Sequence, residues 1–418
     1  MLMEGSPPGA GALVTLANWQ ETPYNRWAFW HMRELLPTHR VACAPGPAVR
    51  PLQVAVAPHD VTGVRFTRAV AGGGEASVGE LLARSYADAV VVVQDGVVVH
   101  EWYGEHGGPQ RPHLLMSVTK SLVGCVAAVL VEQRVIDVNR RVEAYVPELA
   151  GSGFAGAAVR HLLDMRSGVA FREEYTDPEA EIRDLDRWIG WRPGRGEEEP
   201  RGLYAFLTRL DSAGPHGGPF LYRSSETDAL GWVCERAAGE RMADLLSELV
   251  WQPMGALDDA DFLCDGVGTA VHDGGLNASA RDLARFGQLL LDGGRAGTRE
   301  VLPSEWLARA WAVDAESRAA FLASPAEISF PGGWYRNAFW FRPGDYGDVL
   351  LCLGIHGQMI HVSRRTRTVC VKLSSWPSPQ EPVLLHDTLR AFDAVGGALA
   401  GREPVSARRG LPGVATGR

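Results

Sequence analysis

Two β-branched runs joined by Gln-Asp-Gly, ADAVVVVQDGVVVHEWYG over residues 87–104, constrain this chain more than any other stretch. Runs of this length around a tight Gly-bearing turn predict a β-hairpin. A lone hairpin is marginal in water and needs further strands or a helix to bury its face. The next strong strand signals lie near the other end. NAFWFRPG, DVLLCLGIHG, QMIHVSRR and TRTVCVKLS (337–374) are short, aromatic or β-branched, and separated by turn residues. They predict an antiparallel meander. Between the two sets, apolar residues recur at three-to-four spacing in VRHLLDM, YAFLTRL, DALGWVCERAAG, RMADLLSELVW and ARDLARFGQLLLDGG. That period predicts helices. The expected fold is therefore α/β (α+β). One antiparallel sheet is built from both ends of the chain and flanked by helices, and a mainly helical lobe is inserted with a cleft beside it.

The expected organisation follows. Residues 1–15 and 401–418, rich in Gly, Pro, Ala and Arg, read as flexible tails. Residues 16–116 and 291–400 form the two parts of the α/β unit, and 117–290 the helical lobe. Within that lobe, 172–218 is rich in Gly, Pro and acids and reads as a long substrate loop.

Composition excludes several classes. The 418 residues carry a formal charge of −9 with no basic run or stripe, so nucleic acid is not an expected partner. The longest apolar runs, such as CVAAVLV at 125–131, are too short to span a bilayer. The N-terminus lacks the basic and apolar regions of a secretory signal. The six cysteines are scattered, with no CxxC and no Cys/His metal spacing, which reads as buried thiols of a cytoplasmic protein without metal or cofactor. A small-molecule substrate is the expected partner, and a homodimer stays open.

The chemistry concentrates at LLMSVTKSLVG, 114–124. It holds Lys120, one of only two lysines in a chain where 39 of the 41 basic residues are arginine. Ser117 and Lys120 stand at i and i+3, on one face of a helix start. A hydroxyl attacks poorly until something takes its proton. A lysine desolvated by apolar neighbours has a lowered pKa and can take it, whereas arginine does not deprotonate in proteins. Tyr222, in PFLYRSSETDALGWV, sits two residues before Ser224 and could relay a proton to a leaving group. The same segment also reads as a helix cap. Gly354 and Gly357, in VLLCLGIHGQMIHV, mark either a close ligand approach or a bulge.

S-x-x-K, Y-x-S about a hundred residues on, and a Gly-bearing strand near the C-terminus together resemble the serine β-lactamase/penicillin-binding-protein family. HLLDMRSGVAF and GGLNASARDLARFGQLLL resemble its segments around the active site. Within it, NWQETPYNRWAFWHMRELLP and YRNAFWFR resemble the 6-aminohexanoate-dimer (nylon-oligomer) hydrolases. The resemblance runs over roughly residues 16–395. It implies a β-lactamase/transpeptidase-like fold, with Ser117 as acylated nucleophile, Lys120 as general base and Tyr222 as proton donor to the leaving amine. It implies an oxyanion hole from the N–H groups of Ser117 and Ile355, with the register between Gly354 and Gly357 open. It also implies contact of Tyr175 with the amide nitrogen, of Asp186 with a substrate ammonium, and a pocket lined by His272 and Trp340.

Two departures narrow the expectation. Ser224 stands where the family's Y-x-N carries asparagine. LGIHG lacks the lysine of the K-T-G strand, and Lys372 lies too far downstream to replace it. β-Lactams and peptidoglycan stems, whose carboxylate that lysine normally meets, are thereby disfavoured. The expected activity is hydrolysis of small linear amides or esters. An acyltransferase or transamidase using the same acyl-Ser117 is the alternative, with a carboxylesterase or a catalytically silent binding protein behind it.

Overall fold

The computed structural model describes residues 2–46, 52–70, 72–194 and 202–401. The hairpin forms as Ala87–Gln94 and Val97–Tyr103. It joins the C-terminal meander through one antiparallel pairing, Val371 opposite Val91 and Lys372 opposite Val90. The eight-stranded sheet runs Trp334–Arg336, Phe339–Gly344, Gly347–Gly354, Gln358–Ser363, Thr368–Ser374, Ala87–Gln94, Val97–Tyr103 and Gln53–Val54, the last pair parallel. The sheet therefore draws on both ends of the chain, as the fold class required.

The valine run explains why this sheet is covered on both sides. Val91 and Val93 enter one apolar core, and Val90 and Val92 enter another. Successive side chains of a strand point to opposite faces, so a run of valines needs cover on each. The Ala280–Leu291 helix packs on one face, against Thr368–Ser374 and Gln358–Ser363. Leu81 and Leu82 of the Val78–Arg84 helix, with Leu389 and Phe392 of the Pro382–Ala400 helix, close the other core.

Three expectations change. The lobe at 117–290 is not only helical: Ala260–Leu263 and Leu276–Ser279 are strands. With Thr38–Val41 and Pro112–Leu114 they build a second, four-stranded antiparallel sheet. Among its described residues, the stretch 172–218 carries two short helices, Glu181–Trp188 and Leu203–Leu207. Ile182 and Leu185 of the first anchor it in the core. Residues 2–15 are no loose tail. Val14 is buried and the Met3 N–H bonds the Ala12 carbonyl, so this segment packs back on the core through its few apolar side chains. The tail expected at 401–418 lies, after Gly401, outside the described residues.

Candidate active site

Ser117 stands at the N-cap of the Val118–Glu132 helix, where that helix meets the four-stranded sheet. The preceding Met116 has φ of +48°, a left-handed conformation that a side chain of this size rarely adopts. The surroundings hold it there. The Leu115 N–H bonds the Leu276 carbonyl, and the Leu276 N–H bonds the Thr119 hydroxyl. The turn is pinned from both sides, and Ser117 is presented at the floor of a cleft.

Lys120 is buried beneath it. Its ammonium donates to Ser117 Oγ at 2.7 Å, to Ser224 Oγ at 3.0 Å and to the Asp273 carbonyl at 2.8 Å. The Asp273 carboxylate lies 3.7 Å away. The Tyr222 ring centroid is 5.2 Å from Lys120 Nζ. The three residues expected to act together thus meet around the Lys120 ammonium. Ser224 begins the Ser224–Ala238 helix, which packs against the Val118–Glu132 helix. That packing brings residues a hundred positions apart into contact.

One expectation about Lys120 is reversed. Burial does push its pKa down, but Tyr222, Asp273, Glu173 and Asp228 outweigh burial and raise it above the ordinary lysine value. Buried apolar neighbours were only half of the environment. Tyr222 is itself raised by burial, with the Lys120 charge and the Ser117 side chain pulling it back.

Glu173 and Asp273 were not foreseen. Ser224 donates its hydroxyl to Glu173 at 2.7 Å and its N–H at 2.9 Å, and the Tyr175 hydroxyl donates to the same carboxylate. Burial raises the Glu173 pKa, opposed by Lys120. Nothing in FREEYTD distinguishes Glu173 from the exposed Glu174 beside it. The only pointer was its position two residues before Tyr175.

Ser117 lies between two hollows. One is an apolar cavity of about 330 Å³, bordered by Tyr222, Phe330, Trp340, Ile355 and Leu385. The other is a small polar pocket bordered by Tyr175, Arg183, Asp186, Asp273 and Ile355. Trp340 therefore sits where a pocket residue was expected, its ring centroid 5.1 Å from that of Tyr222. Asp186 reaches the polar pocket, but it is no free carboxylate. Its Oδ2 already accepts from Arg183 at 3.0 Å and Arg192 at 3.1 Å. His272 lines neither hollow. It is fully buried under Gly231, with Nε2 3.0 Å from the Tyr204 hydroxyl, because the residue after it turns the chain toward Lys120 while His272 points into the lobe.

Ile355 borders both hollows. The His356 N–H is taken by the Pro379 carbonyl and its ring by the Trp376 carbonyl. Gly357 has φ of +92°, and a Cβ there would strike the Trp376 ring at 2.4 Å. The turn at Ile355–Gly357 is thus locked against Trp376. The other lysine, Lys372, is fully buried, bonds Ser374 and lies 5.1 Å from the Trp376 ring centroid. It borders neither hollow. Among the described residues no cluster of three His, Cys, Asp or Glu side chains could hold a metal ion. No helix there is long and apolar enough to cross a membrane.

Comparison with known proteins places the chain in a family. The family model described as Beta-lactamase matches residues 76–394. A 6-aminohexanoate-dimer hydrolase of Paenarthrobacter ureafaciens is 38% identical over 397 residues, covering 93% of this chain and 97% of the relative. A solved Bacillus anthracis structure, provisionally named for the same activity, superposes with a TM-score of 0.85 at 26% identity, over 95% of this chain and all of that one. An octameric penicillin-binding-protein homologue from Pyrococcus abyssi shares the fold at a TM-score of 0.57 and 17% identity, over 78% and 76% of the two chains. Fold and relatives define a serine hydrolase. The chain belongs to the beta-lactamase family.

Proposed function

We propose that this chain hydrolyses short linear amides of the ω-amino-acid type through an acyl-enzyme on Ser117. The observation that carries the reading is the Ser117–Lys120 contact of 2.7 Å at the junction of an apolar cavity and a polar pocket. The relative that is 38% identical acts, by its name, on such an amide.

The steps follow from the geometry. Lys120 takes the Ser117 proton as Oγ attacks the amide carbonyl carbon. The Ser117 and Ile355 N–H groups receive the charge that develops on oxygen; the Ser117 N–H sits where the helix start adds its own field. Tyr222 hands a proton to the leaving nitrogen, which departs as a neutral amine. Water then attacks the acyl-enzyme by the reverse relay. Tyr175, between both hollows, orients the amide, and Trp340 lines the apolar side. Lys372 is sealed behind Trp376 and cannot meet a β-lactam carboxylate, which supports linear over cyclic amides. The six cysteines are free thiols, which supports an intracellular setting.

A panel of linear amides, p-nitrophenyl esters and β-lactams tests this. Turnover of linear ω-amino-acid amides with little turnover of β-lactams is expected, together with one fluorophosphonate adduct on Ser117. An unmodified Ser117, or β-lactams as the preferred substrates, overturns the proposal.

A further inference from the structure

The structure leaves a difficulty that its own hydrogen bonds resolve. Lys120 must present a lone pair to Ser117, yet the site is rich in groups that hold it as ammonium. Tyr222 approaches from the segment ahead of the Ser224–Ala238 helix, Asp228 from that helix, Asp273 from the loop before Leu276–Ser279, and Glu173 from the 172–175 loop. Loss of a proton to solvent is disfavoured in such a setting.

A continuous chain offers another route. Lys120 Nζ donates to Ser224 Oγ at 3.0 Å, and Ser224 Oγ donates to Glu173 Oε1 at 2.7 Å. Glu173 also accepts the Ser224 N–H at 2.9 Å, which fixes the carboxylate beneath the hydroxyl. The Tyr175 hydroxyl donates to the same Oε1. Ser224 is thereby held with its proton toward Glu173 and its lone pair toward Lys120.

We propose that Glu173 is the proton store for the base, reached from Lys120 through the Ser224 hydroxyl. One Lys120 proton passes to Ser224 Oγ as the Ser224 proton passes to Glu173 Oε1. Ser224 ends as a hydroxyl, the two charges cancel, and Lys120 is left as a neutral amine facing Ser117. In a buried site a neutral pair competes with an ion pair, because each charge loses its hydration. Burial raises the Glu173 pKa, in the direction the transfer needs. Glu173 and Ser224 are positioning residues, since they act through Lys120.

The inference rests on Lys120 being the base, and one experiment separates the two. The rate of fluorophosphonate labelling of Ser117 is followed against pH for the full chain and its variants. Wild type needs only one proton to leave the Lys120–Glu173 pair, so its acid limb falls at the pair's lower pKa. In Glu173→Gln the amine must lose its proton to water, and the limb moves up by more than one pH unit, with rate recovered at high pH. Ser224→Ala keeps both titrating groups and so keeps the limb, since their protons redistribute through water, while the plateau rate falls and Ser224→Thr restores it. A carboxylate acting only by its field gives the opposite sign in Glu173→Gln, since its removal lowers the lysine pKa. In Glu173→Gln an unmoved limb, or one moved down, overturns the proton store, and a Ser224→Ala plateau equal to wild type overturns the route through Ser224. Normal labelling of Lys120→Arg overturns the base assignment instead. Thermal melts confirm folding, and Glu173→Ala takes the place of Glu173→Gln if the latter does not fold.

Discussion

Lys120 shows how a side chain's neighbours, not its identity alone, set its chemistry. Burial acts against its charge, while Tyr222, Asp273, Glu173 and Asp228 act for it, and the second group prevails. All three donors of the ammonium have oxygen partners, so the ammonium itself is satisfied. Arginine would keep the charge and lose the chemistry, since it cannot release a proton. Lys120→Arg is therefore expected to cut kcat/KM by about 10²–10⁴-fold, the range for loss of a general base. Steady-state rates on a p-nitrophenyl ester, read beside a thermal melt, check this. A folded variant with a near-normal rate would show that Lys120 is not the base.

Strand Thr368–Ser374 joins the two ends of the chain, and it carries the second lysine at its centre. Burial pushes Lys372 down to about 7, with Asp88 opposing. An unfolded lysine titrates near 10.4. Between those values the unfolded chain holds a proton that the folded chain has lost, so stability rises with pH across that window. Below about 7 both states are protonated and the cost of the buried charge is constant and full. Burying a charge without an opposite partner is costly, so an apolar group of similar size in its place is expected to stabilise. Lys372→Met is expected to raise the melting temperature at pH 6.5, with the gain shrinking by pH 9.5. Calorimetry at the two pH values checks it, and a gain that grew with pH would contradict the burial argument.

At the scale of the molecule, what could be read from the sequence depended on how local the signal was. The hairpin and meander announce themselves in ten-residue runs, so the sheet from both ends was legible. S-x-x-K was legible because i and i+3 share a helix face. The four-residue strands Ala260–Leu263 and Leu276–Ser279 were hidden in a series of helical patterns, and only their pairing with Thr38–Val41 and Pro112–Leu114 makes them strands. Glu173 reaches Ser224 across 51 positions, and the Asp273 carbonyl reaches Lys120 across 153. No pattern in one chain records such meetings. His272 was misplaced for the same reason: its neighbour Asp273 belongs to the site, and one residue of offset turns a side chain the other way.

The same assembly builds the apolar cavity beside Ser117. The eight-stranded sheet supplies Trp340 and Leu353 to the apolar cavity, the Pro382–Ala400 helix supplies Leu385, and the lobe supplies Tyr175 and Tyr222. A methylene moved from water into such a cavity contributes about 0.8 kcal/mol, close to fourfold in kcat/KM. Two series of linear amides, one lengthened on the acyl side and one on the amine side, are expected to behave differently. The series that enters the cavity should climb by roughly threefold to fourfold per methylene until the space is filled, then fall as overpacking sets in. The other, directed at the polar pocket with Arg183 and Asp186, should stay nearly flat. Trp340→Ala should shift the optimum of the climbing series to longer chains, since the removed ring borders the cavity. If both series were flat, the cavity would not be the substrate's seat, and Ser117 would be served from the polar pocket alone.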